Sequence, residues 1–224
     1  DLIITVDCGS TSVKEVELAK SLGMDIIITD HHNLSDEIPD CLILNPKQKD
    51  CTYPFSYLCG CGVVFKLAQA LQRKMNAPKS YISDLLDLVA LATVADVVPL
   101  IDENRTILKY GMKKINQPVR PGLKTLIERV GLKDQSIHVG HIGFVIAPHF
   151  NASGRIDDAR IAVELLLEQK QEKIEEIVAH LIQCNAERKA IQEKGLKICQ
   201  EKVEAHYLGD LFLVLDAEDT HEGV

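Results

Sequence analysis

A chain of 224 residues, 46% of them hydrophobic, with a formal net charge of −8, is long and apolar enough for one large domain or one and a half, which excludes wholesale disorder. No apolar run reaches the roughly 18 residues that a bilayer span needs, and no charged leader with a cleavage site begins the chain, so a cytoplasmic protein without membrane contact is expected. Seven scattered cysteines, an odd number, suit a reducing compartment better than a disulfide framework.

Residues 2–6 (L-I-I-T-V) read as a buried strand that ends in Asp7. No cap or initiator methionine precedes it, so the chain is expected to start inside a domain. Residues 9–12 (G-S-T-S) form a turn with a helix N-cap, and residues 13–22 an amphipathic helix stopped by Gly23. A second apolar run, residues 24–29 (M-D-I-I-I-T), leads straight into Asp30-His31-His32. Residues 2–29 therefore predict a βαβ unit with a right-handed crossover. A short strand at 42–44, a loop at 45–57 and a helix at 60–73, opened by the turn C-G-C-G, come next. A leucine- and alanine-rich helix at 81–94 runs into A-D-V-V-P-L, where Pro99 closes it and Asp96 lies near its end. Helices at about 104–115 and 122–130 follow.

Residues 142–146 are apolar and read as a strand, 148–155 (P-H-F-N-A-S-G-R) as a small-residue loop, and 157–168 as a helix. From 171 to about 207 apolar residues recur at helical spacing without proline, and a helix so long suits a connector between lobes. Residues 211–215 (L-F-L-V-L) read as a new strand, with the chain stopping at H-E-G-V.

Charge is uneven along the chain. Between residues 104 and 133, Arg105, Lys109, Lys113, Lys114, Arg120, Lys124, Arg129 and Lys133 face the single acid Glu128. Such a run is either a solvated helical face or a surface turned to phosphates. Cys51, Cys59 and Cys61, spaced C-x7-C-x-C, match no ordinary zinc module and are expected to be buried thiols.

The chemistry concentrates at strand ends. Ligand and catalytic groups collect beyond the carboxyl ends of parallel strands, which is where Asp7 and Asp30-His31-His32 fall. Singly, a strand-end aspartate is an ordinary turn residue. Adjacent histidines seldom arise for packing, however, and Asp96 in an apolar stretch is costly unless paired, capping or bound to metal. Carboxylate with imidazole is a donor set for divalent ions of the manganese type.

V-D-C-G-S-T-S, T-D-H-H, A-T-V-A-D-V-V-P-L and N-A-S-G-R-I-D, in that order, resemble the signature motifs of the DHH phosphoesterase superfamily. The linking text N-P-K-Q and C-G-C-G-V-V-F-K-L resembles its RecJ branch, the single-strand-specific 5′→3′ exonucleases. The resemblance covers nearly the whole chain. It implies an α/β fold: a parallel-sheet DHH domain with a helical subregion over 1–168, a long connector helix over 169–207, and the start of a second α/β domain, the DHH-associated domain, over 208–224.

It also implies two Mn2+ or Mg2+ ions, with Asp7 bridging them and His31 and Asp96 as terminal ligands of one. His32 would face the scissile phosphate, Asp30 would orient the imidazoles, and residues Asn151, Ser153 and Arg155 would hold the substrate terminus. Three departures stand out: no D-x-D strand end precedes Asp7, the second domain looks cut off, and His149 occupies a substrate-contact position where RecJ relatives usually carry arginine. The implied activity is exonuclease action on single-stranded DNA in repair and recombination, beside a single-strand-binding protein or helicase, with the chain as given inactive. The alternatives are a pyrophosphatase or short-oligonucleotide phosphodiesterase of the same superfamily, and a non-catalytic replication scaffold.

Overall fold

The computed structural model describes residues 1–206, 209 and 211–217. Its elements, in chain order, are β1 (Leu2–Val6), α1 (Val13–Ser21), β2 (Asp25–Thr29), β3 (Leu42–Leu44), α2 (Gly60–Lys74), α3 (Lys79–Ser83), α4 (Leu86–Ala95), α5 (Asp102–Ile115), α6 (Pro121–Ile127), α7 (Val139–His141), α8 (Ala147–Ile156), α9 (Arg160–Leu167) and α10 (Gln171–His206). The result is an α/β fold with one parallel sheet in the order β1-β2-β3. No helix among the described residues is long and apolar enough to cross a membrane.

The chain forms two compact units, 1–117 with 136–143, and 118–135 with 144–224. In the first, β1 pairs with β2 from Leu2↔Asp25 to Val6↔Thr29, and β2 pairs with β3 from Ile27↔Leu42 to Thr29↔Leu44. The central strand carries the buried Ile28 and Thr29, and α1 buries Val16 and Ala19. Gly23, at φ +73°, ends that helix in the left-handed conformation that glycine adopts without strain. The strand at 2–6 is not buried as its composition suggested. Leu2 is 54% exposed and Val6 46%, because β1 is an edge strand with β2 as its single partner among the described residues.

Helices α4 and α5 pack closely, with Val89, Ala90, Leu108 and Ile115 in the core between and beside them. The helix expected at 81–94 is instead two, α3 and α4, separated at Asp84-Leu85. Among the described residues, the secondary-structure elements of the second unit are all helices. Leu123, Leu126, Ile146, Ala152, Leu165, Ile174, Val178 and Leu181 form its core, at about 1.5–3 kcal/mol for each large side chain buried.

Further corrections fall here. Residues 142–146 wind as a π-helix instead of a strand, and the stretch 148–155 lies within α8 rather than in a loop. The helix at 157–168 is shorter, Arg160–Leu167. Residues 211–215 form no strand, with Leu211, Phe212 and Val214 exposed. The terminal H-E-G-V lies outside the described residues.

The α4–α5 contact depends on Gly111. A Cβ there would meet the Ala90 Cβ at 2.3 Å and the Leu86 carbonyl oxygen at 2.4 Å. Gly111→Ala should therefore destabilise the fold by about 1–3 kcal/mol. Gly23→Ala, strained in φ but facing open space, should cost nearer about 1 kcal/mol. Urea midpoints of the two variants check this; a smaller loss at Gly111 would show that the helices separate freely.

Candidate metal centre

Three segments of the first unit bring ionisable groups together. Asp7 closes β1 at φ +65°, with its N–H still donating to the Thr29 carbonyl (2.9 Å). The left-handed backbone there is costly for a residue with a Cβ, and it turns the carboxylate out of the strand direction. Asp30, His31 and His32 follow β2, and Asp96 caps the C-terminus of α4.

Asp30 organises the segment after β2. It is buried, yet its Oδ2 accepts from Ser10 N–H (3.0 Å), and its Oδ1 accepts from His31 N–H (2.7 Å), His32 N–H (3.2 Å) and His32 Nδ1 (2.7 Å). Burial alone would raise its pKa. The hydrogen bonds from Ser10 and His32 outweigh burial and hold the carboxyl well below the usual carboxylate range. Because His32 donates through Nδ1, its Nε2 is left as the basic nitrogen.

His31 is the centre of the cluster. Its Nε2 lies 3.1 Å from Asp7 Oδ1 and 3.5 Å from Asp96 Oδ2. This buried nitrogen nevertheless makes no hydrogen bond of acceptable geometry. Proximity without alignment means that the nitrogen and the oxygens aim at a shared point rather than at one another. Donor atoms of Asp7, His31 and His32 all lie within 4.8 Å of one another.

Charge around this point is unbalanced. Burial pushes the Asp96 carboxyl above its ordinary value; His31 pulls it down and Asp7 raises it further. The C-terminus of α4 adds the negative end of a helix dipole at the same place. The nearby thiols stay protonated: burial, helped by Cys59 and Asp7, pushes Cys61 up to about 12, and burial also raises Cys59. All seven cysteines are free, and Cys59 serves as N-cap of α2, its sulfur accepting from Gly62 N–H (3.3 Å). A divalent cation with oxygen and nitrogen ligands fits this donor set.

Sequence reasoning missed the supports. Asn45 donates to Ser10 Oγ (3.0 Å) and to the His32 carbonyl (2.9 Å), fastening the loop after β3 to the two turns; its one signal was the motif N-P-K-Q. Gly60, first residue of α2, lies against Asp7, where a Cβ would come 2.2 Å from Oδ1.

The remaining predicted residues lie on α8, in the second unit. Asn151 and Arg155 are exposed. Ser153 is buried, and its hydroxyl donates to the Phe150 carbonyl (2.9 Å). His149 is buried too, with Nδ1 donating to the Val145 carbonyl (2.6 Å) and Nε2 accepting from Asn185 (3.2 Å). Burial lowers its pKa, against the Val145 bond and with help from Lys189 and Arg188, which favours the neutral ring.

Residues 1–93 match the DHH family, N-terminal domain. Over 224 residues the chain is 42% identical to the single-stranded-DNA-specific exonuclease RecJ of Bacillus subtilis, which covers all of this chain and 28% of that protein. Over 208 residues it is 40% identical to the Escherichia coli protein of that name, covering 88% of this chain and 36% of that one. Among solved structures, RecJ of Thermus thermophilus in complex with Mn2+ superposes with a TM-score of 0.84 at 31% identity, over the whole chain and 33% of that chain. The chain thus spans about a third of the length of the relatives it matches. The family's N-terminal domain is thus matched over the first 93 residues, and similarity to RecJ proteins runs through all the rest of the chain.

Proposed function

We propose that this chain carries the catalytic core of a metal-dependent nuclease that removes nucleotides from the 5′ end of single-stranded DNA, in the cytoplasm, during repair and recombination. The observation that carries this reading is the buried, unsatisfied Nε2 of His31 facing the carboxylates of Asp7 and Asp96. The substrate is supported by relatives named for single-stranded DNA, and the ion by RecJ structures holding Mn2+ or Mg2+. A ligand cluster of this kind has no use in a non-catalytic scaffold.

In this reading Asp7, His31 and Asp96 are the residues that would hold the divalent ions. Such ions, when bound, lower the pKa of water and offset charge on the phosphoryl oxygens. Asp30 keeps His32 in one tautomer and so presents its Nε2 edge to the scissile phosphate. On α8, Arg155 grips the terminal phosphate as a planar fork and Asn151 adds an amide. Ser153 and His149, whose polar atoms are engaged inside the protein, position that helix. The domain boundaries near 168 and 207, and a single-strand-binding protein or helicase as partner, belong to the same proposal.

Asp7→Ala should weaken Mn2+ binding in calorimetric titration by more than about 100-fold, beyond what loss of a supporting residue costs. Gly60→Ala, which changes no ligand, should also weaken it by displacing the Asp7 carboxylate. Unchanged affinity in Asp7→Ala would remove the assigned centre.

Arg155→Ala should abolish any preference for 5′-phosphorylated over 5′-hydroxyl oligonucleotides. Hydrolysis of pyrophosphate in place of long single strands would favour the competing phosphatase reading. A surviving 5′ preference in the variant would exclude the role of Arg155.

The 224 residues on their own should release mononucleotides from single-stranded DNA more than about tenfold more slowly than the full-length Bacillus subtilis RecJ, because one incomplete set of ligands gives up the second charge clamp. The exposed edge of β1 should also promote self-association. Manganese-dependent assays run side by side decide this, and comparable rates would mean that the ligands described are sufficient.

A further inference from the structure

The first unit contains a second polar concavity, away from the metal centre. It measures about 740 Å³ and lies among α2, α3 and α5. Buried Phe65 and Ile107 form its floor, the half-exposed ring of Tyr110 one wall, and Lys66, Arg73 and Lys79 its cationic edge. Along α2, Arg73 lies 13 residues from Gly60, which touches Asp7; at 1.5 Å per residue that is about 20 Å. The groove is therefore not an extension of the ligand cluster.

Its charges are not balanced internally. Glu103, the one acid in the wall, is already engaged by an ion pair with Lys66 and by the Tyr53 hydroxyl (2.5 Å). Burial lowers the Lys66 pKa, and the neighbouring Arg73 lowers it further. Among the described residues, Arg73, Lys79, Lys109 and Lys113 have no carboxylate within ion-pair distance. The ammonium groups of Lys109 and Lys113 stand 5.8 and 5.7 Å from the Tyr110 ring centroid. Lys109 and Lys113 also belong to the basic run between residues 104 and 133, which the metal centre does not use.

A half-exposed aromatic ring beside cations that no carboxylate neutralises is how proteins hold single-stranded nucleic acid without reading its sequence. The base stacks on the ring, and the cations take the phosphates on either side. A volume of this size lies within the range of pockets that admit a nucleotide. An acidic peptide would use the cations but leave the ring without a planar partner.

We propose that the groove among α2, α3 and α5 binds the phosphate and base of single-stranded nucleic acid, with Tyr110 as stacking platform and Arg73, Lys79, Lys109 and Lys113 as phosphate contacts. The site is remote from the metal centre and does not depend on the function assigned there. The same chemistry is offered by a polymer strand and by a free nucleoside monophosphate.

The test is equilibrium binding by the full-length protein in EDTA, where no hydrolysis occurs, with a 20-mer of thymidylate, a 3-mer and thymidine monophosphate as probes. Arg73→Glu with Lys79→Glu should weaken the 20-mer at least tenfold and leave the 3-mer within twofold. It should also reduce the salt slope by about 1.4, at about 0.7 for each phosphate lost. Tyr110→Ala should weaken the 20-mer, whereas Tyr110→Phe, which keeps the stacking face, should not. Monophosphate binding that falls in the same variants would make the free nucleotide an occupant as well; monophosphate binding unchanged by them assigns the groove to the strand. Thermal midpoints within a few degrees of wild type exclude unfolding, and if Tyr110→Ala unfolds, the charge variant and its salt slope decide. Unchanged 20-mer affinity and salt slope in the charge variant overturn the proposal. Loss of manganese binding in Asp7→Ala, with 20-mer binding in EDTA retained, separates the fate of this site from that of the metal centre.

Discussion

Four hydrogen bonds converge on one buried carboxylate, and the rest of the centre depends on them. Placing a charge among buried groups is expensive unless it is fully bonded. Asp30 meets that condition with donors from Ser10, His31 and His32. Charge-assisted bonds of this kind are about twice as strong as neutral ones, which is why they prevail over burial in setting the Asp30 pKa. The consequence is geometric. The turn after β2 is fastened through its own N–H groups, His31 is directed inward with its Nε2 unsatisfied, and His32 is locked through Nδ1. Asn45 then ties the same turn to β3 through Ser10 and the His32 carbonyl.

The ligands fall where the chain is bent against its preference. Asp7 has φ +65°, and Val97, directly after Asp96, has φ +57°, a conformation uncommon for any residue with a Cβ and an outlier for a β-branched one. Each costs on the order of 1–3 kcal/mol and persists only where the surroundings over-determine it. Those surroundings are visible here. Asp7 is held by the β1–β2 ladder and admitted by Gly60, while Asp96 ends a helix whose Val89, Ala90 and Val94 are buried. The centre thus draws on the stability of β2 and α4.

Much of this was legible because it depends on period and position. Apolar runs of strand length ended in Asp7 and in Asp30-His31-His32, and Gly23 marks the turn that ends α1. What was misread has physical causes. The run I-I-T-V carries no sign that its strand is an edge. Residues 142–146 are too few for apolar content to distinguish strand from helix. Pro148, taken to start a loop, lies in the first turn of α8, where a missing N–H costs nothing; Ala152 and Ser153 are small because they are buried in the second unit. Asn45 and Gly60 act through tertiary contacts that no local pattern announces.

The choice of ion follows from the same field. Three carboxylates, of Asp7, Asp30 and Asp96, and the negative end of α4 lie around His31. Asp30 is satisfied by its donors, but Asp7 and Asp96 have no comparable set; burial raises Asp96, and the Asp7 charge adds to that rise. Burial, with a smaller contribution from the neighbouring carboxylates, keeps Cys59 and Cys61 protonated, so sulfur is not offered as a ligand. The donors left are carboxylate oxygen and imidazole nitrogen, a set that suits manganese better than a zinc–thiolate site.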